Sequence, residues 1–306
     1  MLIEEGSAIF HKWIVYPYVI VYDDRADPYR RQMTSDNRVR RIDRTRDMIS
    51  STSNPKIKNL IQLQKKAKER RATGTFVVEG RKMVAEAPIE SLVQVYVSET
   101  FEGEEEHRNL LSRFSYEVLS DSVFKSVSDT QTPQGILAIV KQPSYQLSDL
   151  LQGDKTHLLV LESIQDPGNL GTMMRTGEGA GITGIIMNGT TVDLFNSKTI
   201  RSTMGSIYRV PFFVTDDLTG TIHKIKEQGV HCYAAHLKGN ASYDRMNYAE
   251  PTAFFIGNEG NGLSREIADL ADTYIRIPME GEVESLNAAI AATILMYETN
   301  RQRRSN

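Results

Sequence analysis

Three short stretches in the C-terminal half hold the residues able to do chemistry. Gln165, Asp166, Pro167, Gly168, Asn169, Leu170 and Gly171 form the first, with Arg175 four residues further on. Ile256, Gly257, Asn258, Glu259, Gly260, Asn261, Gly262 and Leu263 form the second. The third runs from Ile277, Pro278 and Met279 to Glu284, Ser285, Leu286, Asn287 and Ala288. Each begins where an apolar, strand-like run ends, and each is followed by a helical pattern. Three such loops at one end of a parallel sheet build a single polar pocket. Its side chains would be amides, a carboxylate, a hydroxyl and a guanidinium, groups that hold and orient a polar ligand. No His, Asp, Glu or Cys cluster shows metal-ligand spacing, so no metal is expected.

The elements around these loops alternate. From residue 156 to 306 the pattern reads as strands at 157–162, 184–187, 210–214, 230–235, 253–256 and 274–277. Helices are expected at 170–180, 197–204, 218–228 and 264–271, with a last helix from Leu286 to about Arg301. Residues 166–169 read as a turn before the first of these helices. The last helix is apolar almost all round, which predicts burial on every side, in the protein itself or in a partner subunit. Gly179, Ala180, Gly181, Ile182, Thr183 and Gly184 match a dinucleotide-binding pattern, but a helix precedes and a strand follows, the reverse of the required order. Gly181 is expected to be a helix C-cap instead.

Residues 48–142 alternate as well and predict a compact α/β domain. It starts with a helix capped by Asn54, with Pro55 at its first position. Between positions 56 and 82 the cations Lys56, Lys58, Lys65, Lys66, Lys68, Arg70, Arg71, Arg81 and Lys82 face only Glu69 and Glu79. Such a local field concentrates phosphate affinity although the chain as a whole carries −3. The same charges also fit a solvated helix face. Residues 143–155 read as a linker. Residues 1–47 combine a Tyr-rich run broken by Pro17 with interleaved Arg and acids, and are expected to be a disordered extension or a leader upstream of Met48. With 40% hydrophobic and 25% charged residues the composition is that of a globular protein. Cys232 is the single cysteine, in an apolar run, which rules out an internal disulfide framework. No apolar run reaches the ~18 residues of a membrane helix, so a reducing, cytoplasmic setting is expected.

Together the three loops resemble the signature motifs of the SpoU/TrmH-type RNA 2′-O-methyltransferases of the SPOUT class. Asn169, Gly171 and Arg175 match the first motif, and Gly257, Asn258, Glu259, Gly260 and Gly262 the second. Ile277, Pro278, Met279, Ser285, Leu286 and Asn287 match the third. The stretch from Asn196 through Arg201 to Pro211 is similar too, and residues 76–80 and 132–135 resemble the substrate-binding domain many members carry, a relative of ribosomal proteins. The resemblance implies a trefoil-knotted parallel-sheet domain behind a small RNA-binding α/β domain, a homodimer, and S-adenosylmethionine as methyl donor. It assigns the donor to Gly257, Asn258, Ile277, Met279 and Leu286, and catalysis to Arg175, Asn169, Glu259, Ser285 and Asn287. The cationic stretch would then hold RNA, with 23S-type ribosomal RNA expected as substrate. Transfer RNA, or a catalytically inactive RNA-binding protein, are the alternatives. A guanidinium holds its proton too tightly to act as a base, so Arg175 suits gripping a phosphate or polarising the 2′-hydroxyl. Ser285 also fits as a cap for the last helix.

Overall fold

A computed structural model describes residues 48–236, 239 and 241–305. The reading of residues 1–47 as an extension or leader lies outside the described residues. The chain begins with α1 (Pro55–Lys65) and α2 (Ala67–Thr73), then β1 (Thr75–Glu79), α3 (Arg81–Glu86), β2 (Leu92–Ser98), α4 (Glu99–Gly103), α5 (Arg108–Leu111), β3 (Tyr116–Leu119), α6 (Asp121–Val127) and β4 (Ile136–Lys141). These strands form a four-stranded mixed sheet in the order β1-β4-β2-β3. The cationic stretch spans α1, α2, β1 and the start of α3, which carries Arg81 and Lys82: Asn54 Oδ1 accepts from Lys56 N to start α1, and Lys66, in extended conformation, breaks it from α2.

After α7 (Leu147–Leu150) come β5 (His157–Leu161), α8 (Pro167–Ala180), β6 (Gly184–Asn188), α9 (Ser197–Thr203), β7 (Phe212–Thr215), α10 (Leu218–Glu227), β8 (His231–Ala235), β9 (Ala241–Ser242), β10 (Thr252–Ile256), α11 (Arg265–Ala268), β11 (Thr273–Arg276) and α12 (Ala288–Ser305). Seven strands lie in the order β7-β6-β5-β10-β8-β11-β9, every neighbouring pair parallel. β5 and β10 are buried at all their positions, which is why they read as unbroken apolar runs: helices cover both faces. Leu159, Leu161, Phe254 and Ile256 pack toward α8 and α12, while Leu158, Val160, Ala253 and Phe255 pack toward α10 and α11.

Two expectations change. Residues 166–169 are the first turn of α8, not a loop before it: Asp166 caps the helix by accepting from Asn169 N, with Pro167 at the first helical position. Within its own chain the last helix is not buried on every side, which leaves only the partner-subunit form of that expectation. Ala289, Ala292, Leu295, Met296 and Thr299 face the core, but Ile290 and Tyr297 are 49% and 46% exposed. Its apolar residues outnumber those one chain can cover. Gly181 caps α8 at φ +77°, as the reversed glycine pattern required. Cys232 is buried, and burial first, then the charge of Asp272, pushes its thiol up to about 12. No described helix is long and apolar enough to cross a membrane.

Candidate active site

All strands of the second sheet run one way, so the segments leaving β5, β10 and β11 emerge at one edge. They are tied together by side chains that each bond across a loop boundary. Glu259 Oε2 accepts from Gln165 N, and its Oε1 accepts from Asp166 N, each at 2.9 Å. Asn169 Nδ2 donates to the same Glu259 Oε1 at 3.0 Å, and Asn287 Nδ2 donates to Asn169 Oδ1 at 2.9 Å. One chain, Glu259–Asn169–Asn287, therefore joins all three stretches. Burial would push the Glu259 carboxyl up, but the Asn169 amide and the N–H groups of Gln165 and Asp166 hold it below the usual glutamate range. The backbone N–H of Asn169 does the same for Asp166, aided by Lys198 at 3.3 Å.

The second loop closes on itself. Asn258 N donates to Gly262 O and Gly262 N to Asn258 O, at 3.1 and 2.8 Å. Asn258 Oδ1 accepts from Gly260 N and Asn261 N, while its Nδ2 reaches Ser163 O at 2.9 Å. A Cβ on Gly257 would stand 2.1 Å from Gly262 C and Leu263 N. Glycine is required there by the loop's own backbone, not by the approach of a ligand. Gly171 has a comparable reason: its Cβ would lie 2.4 Å from Ser202 Cβ and 2.7 Å from Thr199 O, where α8 meets α9.

The third loop differs. Residues 278–286 have no regular structure, and their main chain makes no backbone hydrogen bond with other described residues. Ile277, Met279 and Leu286 are half-buried beside it. Free main-chain donors and acceptors next to apolar side chains suit a ligand with a flat heterocycle and a ribose, as S-adenosylmethionine has. Asn287 Oδ1 accepts from Ala289 N at 2.9 Å and Ile290 N at 3.3 Å, so the capping role expected of Ser285 belongs to Asn287. Ser285 is exposed.

Arg175 is exposed on α8 and has no hydrogen-bond or ion-pair partner among the described residues. Glu259 bonds instead to Gln165 N, Asp166 N and Asn169 Nδ2. The next residue, Thr176, meets Thr293 of α12 at 3.2 Å. Of the cations assigned to RNA, Lys56, Lys58, Lys65, Lys66, Arg71, Arg81 and Lys82 are exposed. Lys56 pairs with Glu117, Arg81 with Glu106 and Lys82 with Glu86, all at the surface, where pairing costs a ligand little to break. Arg70 is a correction: it is 4% exposed and bonded to Asp193, Leu63 O and Gln64 O, so it cannot reach RNA. Glu104, Glu106 and His107 approach within 4.8 Å of one another, a grouping their spacing did not announce. His107 Nε2 is paired to Glu104 there at 2.8 Å.

Sequence reasoning also missed the residues that shape the first loop. Ser163, at φ +56°, accepts at its Oγ from Asn188 Nδ2. Gln165 Nε2 donates to Ser163 O and Thr190 O, and Glu162 Oε2 accepts from Ser264 N at 2.7 Å. An acid followed directly by proline was the available sign that Asp166 caps a helix.

Comparisons with known proteins place the fold in a family. The model of the SpoU rRNA Methylase family matches residues 156–297, and that of the MRM3-like substrate binding domain matches residues 54–138. The chain is 35% identical over 252 residues to the 23S rRNA (guanosine(2553)-2′-O)-methyltransferase RlmP of Bacillus subtilis, covering 81% of this chain and 97% of that one. It superposes on the crystal structure of an AdoMet-bound rRNA methyltransferase from Sinorhizobium meliloti with a TM-score of 0.73 and 31% identity, over 83% of this chain and 97% of that one. On AviRb, a SpoU methyltransferase from Streptomyces viridochromogenes in complex with AdoMet, the TM-score is 0.76 at 25% identity, over 83% and 99% of the two chains.

Proposed function

This chain belongs to the SpoU rRNA methylase family, and from that premise we propose that it methylates a ribose 2′-hydroxyl of 23S-type ribosomal RNA using S-adenosylmethionine. The observation that carries this reading is the Glu259–Asn169–Asn287 chain, which makes one site of three loops. When bound, the donor supplies an electrophilic methyl on a sulfonium that departs as a neutral thioether. The protein's task is to place the ribose oxygen in line with that methyl and to favour loss of its proton, and positioning alone can provide a large part of the rate. Residues 277–279 and 284–286 would hold the donor, chiefly through main-chain groups, with Gly257 and Asn258 setting the wall of the second loop. The unpaired Arg175 would grip a phosphate or stabilise the developing alkoxide. Asn169, Glu259 and Asn287 would fix the geometry, and Ser285 is free to meet the ribose.

The exposed cations of α1 and α2 would hold the RNA backbone, in a domain of residues 48–142 joined through 143–155 to the methyltransferase domain of residues 156–306. The uncovered side of α12, with Ile290 and Tyr297, supports a homodimer built on that helix. The same reading takes the methyltransferase domain to be a trefoil knot and the protein to act in the cytoplasm. Incubating the chain with S-adenosylmethionine and in vitro-transcribed 23S-type rRNA should give RNA methylation. Arg175→Ala should abolish transfer and leave donor affinity within a few-fold (about 1 kcal/mol). Wild-type turnover in that variant would remove Arg175 from the reaction.

A further inference from the structure

The stretch between residues 193 and 209 meets α2, β1 and α3 on one side and α8 and β7 on the other. Before α9, Asp193 Oδ2 accepts from Arg70 Nε at 3.0 Å and also from its Nη2, while Asp193 Oδ1 accepts from Phe195 N at 2.9 Å. Arg70 Nη1 donates to Leu63 O and Gln64 O at the end of α1, at 2.6 and 2.9 Å. Phe195 lies against Phe76 of β1 with ring centroids 4.9 Å apart. Within α9, Arg201 Nη1 donates to Asp129 Oδ2 at 2.7 Å, and Ser197 donates to the same carboxylate. After α9, Tyr208 donates to Met83 O at 2.9 Å, and Arg209 bridges Glu86 of α3, at 2.8 Å, to Glu178 of α8. Gly205, at φ +100°, lets Glu86 approach so closely that a Cβ would lie 2.2 Å from its Oε2.

The other side of α9 is seated directly on α8, the helix bearing Asn169 and Arg175, through the missing side chain of Gly171. The line of contact thus runs from the helices with the exposed cations, through segment 193–209, into the catalytic helix. An RNA held on α1 and α2 is therefore held at one distance from the methyl-transfer loops. Arg70, the most buried cation of the basic stretch, anchors that distance instead of contacting RNA.

We propose that segment 193–209 is a fixed spacer, with Arg70, Asp193, Arg201 and Arg209 as positioning residues, that selects which ribose is methylated by its distance from the RNA element held on the N-terminal helices. The proposal rests on the methyltransferase reading above. It is tested in the full chain with Asp193→Asn and Arg209→Gln, singly and combined, on in vitro-transcribed 23S-type rRNA. The expected result is donor affinity within about twofold of wild type, kcat/KM for RNA lower by roughly 10- to 100-fold, and, in the combined variant, methyl groups spread from one ribose to its neighbours. Asp193→Glu, which keeps the charge, should return methylation to the single position. A combined variant that binds the donor and still methylates only the wild-type ribose overturns the spacer, whether its rate is lowered or not. If the combined variant no longer binds the donor because it fails to fold, Arg201→Gln, whose ion pair is half-exposed, is read by the same criteria. Failure of the wild-type chain to methylate any RNA ribose would instead strike the function on which the spacer rests.

Discussion

Replacing Glu259 by glutamine leaves the shape of the side chain and removes one acceptor and the charge. The carboxylate takes three N–H groups, from Gln165, Asp166 and the Asn169 amide. A glutamine oxygen in the place of Oε1 keeps two of them as neutral bonds, and its amide then faces the Gln165 N–H, donor against donor. Losing one bond and weakening two charge-assisted ones costs about 1–3 kcal/mol, nearer the low end because Glu259 is exposed and water can reach it. Because the same Asn169 holds Asn287, the loss is shared by the loop assigned to the donor. S-adenosylmethionine affinity, measured by titration calorimetry at neutral pH, should fall about tenfold, equivalent to roughly 1.4 kcal/mol. Acid supplies an independent check. The folded-state value of Glu259 lies below its ordinary 4.5, so its contribution to stability is complete above 4.5 and is lost as pH falls through the lower value. Unfolding of Glu259→Gln should lack that part of the acid limb. Wild-type donor affinity together with an unchanged acid limb would refute the claim that this carboxylate knits the site.

Charge reversal at Lys65 and Lys66, both exposed at the junction of α1 and α2, should weaken RNA binding and reduce the slope of log K against log salt by about 1 to 2; an unchanged slope means these cations do not meet phosphate. His157 is buried in β5, where burial and then the charge of Arg303 depress it from 6.5 to about 3. The folded chain thus binds fewer protons than the unfolded one between those values, and stability falls as pH drops from 6.5; His157→Gln should flatten that decline in pH-dependent denaturant melts. Gly257→Ala should unseat the second loop and cost about 1–3 kcal/mol in stability, with donor binding lost, because the new Cβ meets backbone and not a movable side chain; a fully stable, donor-binding variant would contradict the loop geometry.

The legible part of this molecule was that dictated by local pattern. Strands buried on both faces, such as β5 and β10, write themselves as continuous apolar runs, and the loops after them are marked by Gly and Asn. The reversed glycine pattern at 179–184 could be dismissed because order alone identified Gly181 as a cap. What stayed hidden depends on pairings remote in the chain. Arg70 is indistinguishable in sequence from Lys68 or Arg71, and its burial, with bonds to Asp193, 123 residues away, and to the end of α1, withdraws it from the RNA-facing set. The uncovered side of α12 could not be foreseen, since an apolar helix does not declare which of its faces the same chain will cover. Within the site, the motif resemblance named Asn169, Glu259 and Asn287, but not that they bond to one another.

The most direct measurement is the chemical identity and position of the product: nuclease digestion and mass spectrometry of 23S-type rRNA treated with S-adenosylmethionine and this chain. A methyl group on a ribose 2′-oxygen is expected, present with the wild-type chain and absent with Arg175→Ala. A methyl group on a base, or RNA left unmodified by a chain that binds the donor, would contradict it.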